Sequence, residues 1–141
     1  MPETAVWLQV EAAGQHLLLS PADVLEVLPL MAIQPLPGAS RGIEGVVLHN
    51  GAFLPVLAWR DLPACDGPSP PPSLLVVLRR FGLPVVRVAG MVSMREDVWE
   101  AEPEGLARGW SGGRVTLDQR WGRKLNPERM LGLLRGLRIQ A

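Results

Sequence analysis

A G-x-S-x-G motif at residues 109–113 could supply the nucleophile of a serine hydrolase. In such enzymes the serine follows a buried strand, precedes a helix and is activated by a histidine that comes later in the chain. Both histidines of this sequence, His16 and His49, come before Ser111. We therefore expect a glycine-rich hairpin tip at this motif and no hydrolase chemistry.

Other catalytic patterns are missing from the sequence. Two distant histidines and a single cysteine, Cys65, make a poor ligand set for zinc and rule out an internal disulfide. Closely spaced carboxylates occur in the acidic run from Glu96 to Glu104, which we expect to be a solvated loop. No glycine-rich phosphate loop ends in Lys-Ser or Lys-Thr. The sequence predicts no enzyme, no cofactor and no metal.

Cations and aromatic rings alternate in the C-terminal third of the chain. From Gly105 to Ala141 there are eight Arg or Lys residues against two acidic ones, although the whole chain has zero net charge. On a small barrel such residues could bind single-stranded nucleic acid. The residues concerned are Arg108, Trp110, Arg114, Arg120, Trp121, Arg123 and Lys124. We keep this as the alternative function, because a neutral chain attracts a polyanion weakly.

The elements that would position these residues are short strands separated by turn signals. Apolar and polar residues alternate from Ala5 to Glu11, and a run from Gln15 to Leu19 would pair with it. Asn50-Gly51 joins two more apolar runs and is the strongest short-range signal for a hairpin. Further strands are predicted at 73–78, 83–89 and 109–125. This pattern favours an antiparallel barrel architecture over a βαβ fold.

Two helices are predicted. The first runs from Ser20 to Leu28, because Ser20 can cap it, Pro21 fits its first position and Pro29 ends it. The second follows Asn126 and closes the chain. Its apolar residues recur at helical spacing: Met130, Leu133, Leu134 and Leu137.

A proline-rich connector lies near residues 65–72. Its Pro68-Ser69-Pro70-Pro71 segment matches the P-x-x-P pattern that SH3 domains bind. We prefer to interpret it as a rigid crossover between two halves of the molecule.

The length and composition limit the cellular context. A chain of 141 residues suits one domain, 1–141, that buries roughly 68% of its unfolded surface. A single cysteine is typical of a reducing cytoplasm. The first 40 residues contain no Lys or Arg, unlike the start of a secretory signal, and no apolar run is long enough to span a membrane. We expect a cytoplasmic protein.

Several of these segments fall, in order and at the right spacing, on the pattern of one family. They are Glu26-Val27, Gln34-Pro35-Leu36-Pro37, Gly45 through Gly51, Pro55-Val56, Arg60, and Gly82 through Val88. The chain resembles the CheW-like adaptor domain of bacterial chemosensory systems. The resemblance implies an all-β fold of two small five-stranded antiparallel barrels, SH3-like, that share an apolar core. Short helices would lie in the first half and at the C-terminus, with the connector where the chain crosses to the second barrel.

The resemblance also implies a function. It is that of a non-enzymatic scaffold coupling chemoreceptors to a chemotaxis-type histidine kinase, in chemotaxis or pilus-based motility. The partners would be the kinase regulatory domain and the cytoplasmic receptor tip, and the receptors would recruit the scaffold to the inner face of the membrane. By motif position, the residues implied to lie near the partner-binding surfaces are Val24, Glu26, Asn50, Gly82 and Val86.

The chain departs from the family pattern at three positions. Asn50 replaces the Arg of the L-R-G motif, a residue implicated in receptor contact, and Ala58 and Val86 replace two Asp residues. Each replacement removes a charge, whereas Asn50-Gly51 still suits a tight turn. We therefore expect a divergent coupler, either with altered receptor contacts or with kinase and paralogue contacts alone.

Overall fold

The computed structural model describes residues 3–36, 42–62, 65, 67–103 and 106–140, without the side chains of 106, 108 and 134–140. Its strands are β1 (Thr4–Ala12), β2 (Gln15–Leu19), β3 (Val24–Pro29), β4 (Ile43–His49), β5 (Ala52–Leu57), β6 (Leu74–Leu78), β7 (Gly82–Val85), β8 (Arg87–Arg95), β9 (Ser111–Leu117) and β10 (Arg120–Leu125). The helix α1 spans Pro127–Gln140, and 3-10 turns occur at Pro21–Asp23, Trp59–Asp61, Glu96–Val98 and Leu106–Gly109.

The strands form two five-stranded sheets with the same arrangement. The first barrel has the order β3-β6-β7-β5-β4, and the second has the order β8-β1-β2-β10-β9. In each sheet the third and fourth strands pair in parallel and the other neighbours pair antiparallel. The predicted class, two five-stranded barrels of SH3-like type, is confirmed, with one parallel pair in each sheet as the difference.

Each sheet curls around its own apolar interior without full closure. A backbone bridge from Gln34 to Val46 joins the segment after β3 to the opposite edge strand β4, and a bridge from Glu100 to Arg114 does the same between β8 and β9. The interior of the first barrel contains Val47, Val56, Leu75 and Val77. The interior of the second contains Leu18, Met94 and Val115.

A third apolar core lies between the two barrels and joins them. It takes buried residues from both sheets, from the segment before β9 and from α1, among them Val10, Leu17, Leu57, Leu78, Trp110, Leu125 and Met130. The predicted closing helix after Asn126 is confirmed, and Asn126 caps it, because its Oδ1 accepts a hydrogen bond from Arg129 N–H at 3.1 Å. The side chains of Leu134 and Leu137 lie outside the described residues.

Three hairpins turn through pairs of residues with positive φ. The predicted hairpin at Asn50 (φ +50°) and Gly51 (φ +79°) is confirmed, as is the one between β1 and β2. The third turn, at Asp118 and Gln119, has φ angles of +46° and +68°. Two-residue turns of this kind match the right-handed twist of the paired strands, so they fix the register of each hairpin.

Three sequence predictions are wrong in detail. The helix expected from Ser20 to Leu28 is limited to the 3-10 turn at Pro21–Asp23, and Val24–Pro29 is a strand because it pairs with β6. The strand expected at 83–89 is divided at Val86, where the chain passes from the first sheet to the second. The connector near 65–72 does not cross between barrels, because β5 and β6 belong to the same sheet.

Gly45 is required for the approach of the bridging segment to β4. A Cβ at this position would lie 2.3 Å from the backbone oxygen of Gln34 and 2.8 Å from Ile33 Cγ2. We expect Gly45→Ala to destabilise the protein by about 1–3 kcal/mol, the usual cost of overpacking. Urea unfolding of the variant and the wild type measures this difference in the free energy of unfolding.

Gly132 in α1 provides the matched control for this prediction, because a Cβ there would meet nothing within 4 Å. Gly132→Ala should stabilise the helix slightly. An equal effect of the two substitutions would contradict the steric role of Gly45.

Candidate functional site

The end of the first barrel at the β4–β5 hairpin presents an apolar surface. Leu48 and Phe53 are direct cross-strand partners close to the Asn50-Gly51 turn. Their side chains are 63% and 71% exposed, the highest values among the described large apolar residues. Neighbouring residues on the opposite face, such as Val47, fill the barrel interior. Because side chains alternate along a strand, the register that buries Val47 directs Leu48 outwards. We call Leu48 and Phe53 the hairpin patch.

Beside this hairpin, Glu26 joins the two edge strands of the first barrel. Its Oε2 lies 2.8 Å from His49 Nε2, which connects β3 to the residue that precedes the turn. His49 therefore has a structural partner, Glu26, on the other edge strand of the first barrel. Asn50 follows it and is exposed at the tip. The structure thus brings together two of the five predicted site residues, Glu26 and Asn50.

The other three predicted site residues lie elsewhere. Val24 is half-buried and packs against the core between the barrels. Gly82 is buried, and a Cβ there would lie 2.8 Å from Leu75 Cδ1, inside the first barrel. Val86 occupies the crossover between the sheets, where its N–H donates to the Glu11 carbonyl at 2.7 Å. Packing inside the barrel is enough to explain why residue 82 is a glycine, so contact with a partner protein is not needed to account for it.

A cleft borders Val86 and the proline-rich connector. Trp59 and Pro70 line its apolar part, and Trp59 is fixed by a 2.7 Å hydrogen bond from Nε1 to the Pro84 carbonyl. Glu11 lines the adjoining polar part. Two hydrogen bonds from Arg87, at 2.8 and 2.9 Å, hold the pKa of the Glu11 carboxyl below its ordinary value. The cleft therefore combines an apolar wall with a carboxylate, Glu11, that is already paired with Arg87.

The structure shows how two of the three departures from the family pattern, Ala58 and Asn50, fit their positions. Ala58 is 2% exposed, so an aspartate at this position would have to be desolvated. Asn50 adopts a positive φ, which asparagine tolerates better than most residues. The local structure accommodates both residues.

The G-x-S-x-G motif belongs to the framework of the second barrel. Ser111 begins β9 and is 1% exposed, which corrects the expected hairpin tip. Its Oγ lies 2.5 Å from Glu102 Oε2 and accepts a hydrogen bond from Gly113 N–H at 3.1 Å. Arg123 Nε donates to the same carboxylate oxygen at 3.1 Å. The acidic run is therefore not entirely solvated, because Glu102 is buried in this network.

Several cations and rings of the C-terminal third already have partners within the protein. The Arg114 guanidinium lies 3.8 Å from the centre of the Trp121 ring. Lys124 Nζ lies 5.0 Å from the ring of Trp7 and 4.5 Å from that of Trp99. Such pairs use the ring faces that bases would need for stacking. Trp110 is fully buried, and the Arg108 side chain lies outside the described residues. These contacts give the nucleic-acid alternative no support.

No group of three or more metal-ligating side chains occurs among the described residues. Within the same part of the chain, no helix is long and apolar enough to cross a membrane.

The fold consists of two small barrels that share an apolar core, and the first barrel has an exposed apolar hairpin end. The chain belongs to the CheW-like domain family, whose model matches residues 7–135. Its fold is similar to that of the scaffolding protein TtCheW from Thermoanaerobacter tengcongensis, with a TM-score of 0.79 and 19% sequence identity. The alignment covers 89% of this chain and 86% of that one. No curated protein matches the sequence.

CheW-like domains are non-catalytic scaffolds that couple chemoreceptors to a chemotaxis-type histidine kinase. Membership of the family makes this chain a scaffold of chemosensory signal transduction. The resemblance inferred from the sequence motifs is thereby confirmed.

Proposed function

We propose that this scaffold binds the CheW-like regulatory domain of its cognate histidine kinase through the hairpin patch. The exposure of Leu48 and Phe53 is the observation that carries the proposal. Apolar side chains fixed on paired strands lose little further freedom on binding, so their burial translates efficiently into affinity. The two-residue turn between them sets the register in which Leu48 and Phe53 pair.

Glu26 and Asn50 form the polar border of the proposed kinase surface. Interfaces commonly combine an apolar centre with a polar rim. The hydrogen bond from His49 to Glu26 holds this carboxylate at the edge of the barrel. Gly82 supports the surface from within the first barrel, and Val24 supports it from the core between the barrels, in both cases without direct contact with the partner.

The cleft beside Val86 is the proposed position of the chemoreceptor tip. Its wall contains apolar surface from Trp59 and Pro70, and Glu11 is already paired with Arg87. With a valine at the crossover, docking there depends more on apolar contact than on charge. The connector thus forms a wall of the receptor site.

The remaining parts of the proposal follow from this role. The chain acts as one domain, without catalytic activity, cofactor or metal. It works in the cytoplasm and is held at the inner face of the membrane by the receptors that it couples. The output is chemotaxis or pilus-based motility.

Phe53→Glu tests the kinase surface. We expect binding to the isolated regulatory domain of the kinase to weaken by about 30-fold or more, because loss of a central anchor typically costs 2 kcal/mol or more. Titration calorimetry measures the change.

The matched control is Met91→Glu, which adds the same charge to a residue that is 57% exposed on β8 of the second barrel. Its affinity should stay close to that of the wild type. Equal losses in the two variants, or none in Phe53→Glu, would contradict the assignment of the hairpin patch.

A further inference from the structure

We propose that Asn50 is a site of spontaneous covalent modification in the folded protein, at which the side-chain amide is lost and an aspartyl or isoaspartyl residue is formed. Asn50 is followed by Gly51 and lies at the exposed tip of the β4–β5 hairpin. The peptide nitrogen of a glycine is the least hindered nucleophile that can follow an asparagine, because glycine has no Cβ. The sequence and the position of this pair both favour the reaction.

The surroundings of the turn leave the reacting atoms accessible. Gly51 is exposed, and a Cβ built on it would meet nothing within 4 Å, so the turn is open to solvent on that side. The hydrogen bonds among the described residues leave the Asn50 side chain unrestrained. The approach of the two reacting groups requires only a local opening of the hairpin tip, which costs far less than global unfolding.

The proposed reaction uses only atoms of the chain and water. The nitrogen of Gly51 gives up its proton to solvent and forms a bond to Asn50 Cγ. The amide nitrogen of the tetrahedral intermediate takes up a proton from solvent and leaves as ammonia, which gives a cyclic succinimide. Water then adds to one of the two ring carbonyls, and the ring opens at that carbon–nitrogen bond. Opening on one side gives aspartate, and opening on the other gives isoaspartate, in which the backbone continues through the side-chain carbonyl. No oxidant or reductant takes part.

The chain contains its own control at Asn126, the second of its two asparagines. Asn126 is followed by Pro127, whose nitrogen carries no hydrogen and cannot form the succinimide. Its Oδ1 also accepts the capping hydrogen bond from Arg129 N–H. A non-specific loss of side-chain amides would affect both asparagines, whereas the proposed reaction should affect Asn50 and leave Asn126 unchanged.

The two products have different consequences for the hairpin patch. Aspartate followed by glycine still suits the turn, so this product adds a negative charge near Glu26 and keeps the strand register. Isoaspartate inserts one more backbone carbon between Leu48 and Phe53 and cannot keep their direct pairing. Modification would therefore change a surface proposed for docking, although the chemistry itself does not depend on that proposal.

Mass spectrometry of the full-length folded protein tests the site. After incubation in mildly alkaline buffer, the tryptic peptide 42–60 should gain one mass unit, while peptide 125–129 with Asn126 should not. Asn50→Gly keeps a residue that tolerates positive φ and should abolish the gain. The proposal fails if peptide 42–60 stays unmodified in the folded protein during a period in which a urea-unfolded sample converts.

A second measurement tests the structural consequence. Ion exchange separates the modified protein, and peptide mapping distinguishes its two products. The isoaspartyl form should unfold at a lower urea concentration than wild type, whereas Asn50→Asp should unfold close to it. Identical midpoints for the isoaspartyl form and the wild type would refute the predicted loss of register.

Discussion

Replacing Arg123 by alanine should destabilise the protein by about 3–5 kcal/mol, the loss expected when one partner of a buried ion pair is removed. The Glu102 side chain is 3% exposed, and Arg123 Nε lies 3.1 Å from its Oε2. Without the guanidinium, the carboxylate would remain buried with Ser111 Oγ as a neutral partner. Hydrogen bonding to a hydroxyl does not compensate for desolvating a charge.

The position of this ion pair adds to its expected effect. Arg123 Nη1 also donates to Gln15 Oε1 at 3.0 Å, so the side chain connects β10 with the start of β2. Ser111 begins β9, and its carbonyl accepts a hydrogen bond from Arg129 Nη1 of α1 at 2.8 Å. The network thus joins three strands and the helix.

Urea unfolding followed by circular dichroism measures the loss in Arg123→Ala. Arg60→Ala is the matched control, because Arg60 pairs with Glu44 on the surface, where both side chains are substantially exposed. That variant should change stability by no more than about 1 kcal/mol. Combining Arg123→Ala with Glu102→Gln should recover part of the loss, because no buried charge is then left unpaired. An unchanged midpoint in Arg123→Ala would contradict the burial of Glu102.

Hairpins were the part of the fold that local sequence determined best. Asn50-Gly51 prefers positive φ whatever the rest of the chain does, so the turn was predictable. The segment after Ser20 shows the opposite case, because its capping signals favour a helix whereas pairing with β6 makes Val24–Pro29 a strand. Tertiary pairing outweighs weak local preference. The break at Val86 likewise depends on which sheet each half joins.

The candidate site was predicted only in part for a similar reason. Motif position identified Glu26 and Asn50, which the structure places at one end of the first barrel. Leu48 and Phe53 lie in apolar runs, and sequence alone does not show which face of such a run is covered. Glu102 looked solvated among other acidic residues, and its burial follows from Arg123, which is 21 residues away. Long-range pairs of this kind leave no local signal.

Trp110→Ala is expected to cost about 3–5 kcal/mol, because truncating a buried tryptophan removes its apolar contacts and leaves a cavity. Trp110 is fully buried in the core between the barrels, and its carbonyl accepts a hydrogen bond from Asn126 N–H at 3.0 Å. Because residues of both sheets and Met130 of α1 belong to the same core, the truncation should weaken both barrels and the docking of α1 together. We expect one cooperative unfolding transition in wild type, shifted to lower urea in the variant.

Trp121→Ala is the matched control for Trp110→Ala, because Trp121 is 37% exposed and its clearest contact is the stacked Arg114 guanidinium. An exposed cation–π pair contributes about 0.5–1 kcal/mol, so this variant should stay close to wild type. Circular dichroism is the suitable probe, because both substitutions alter tryptophan fluorescence directly. Two separate transitions in Trp110→Ala would mean that the barrels fold independently. Equal losses at the two positions would mean that the core around Trp110 does not join them.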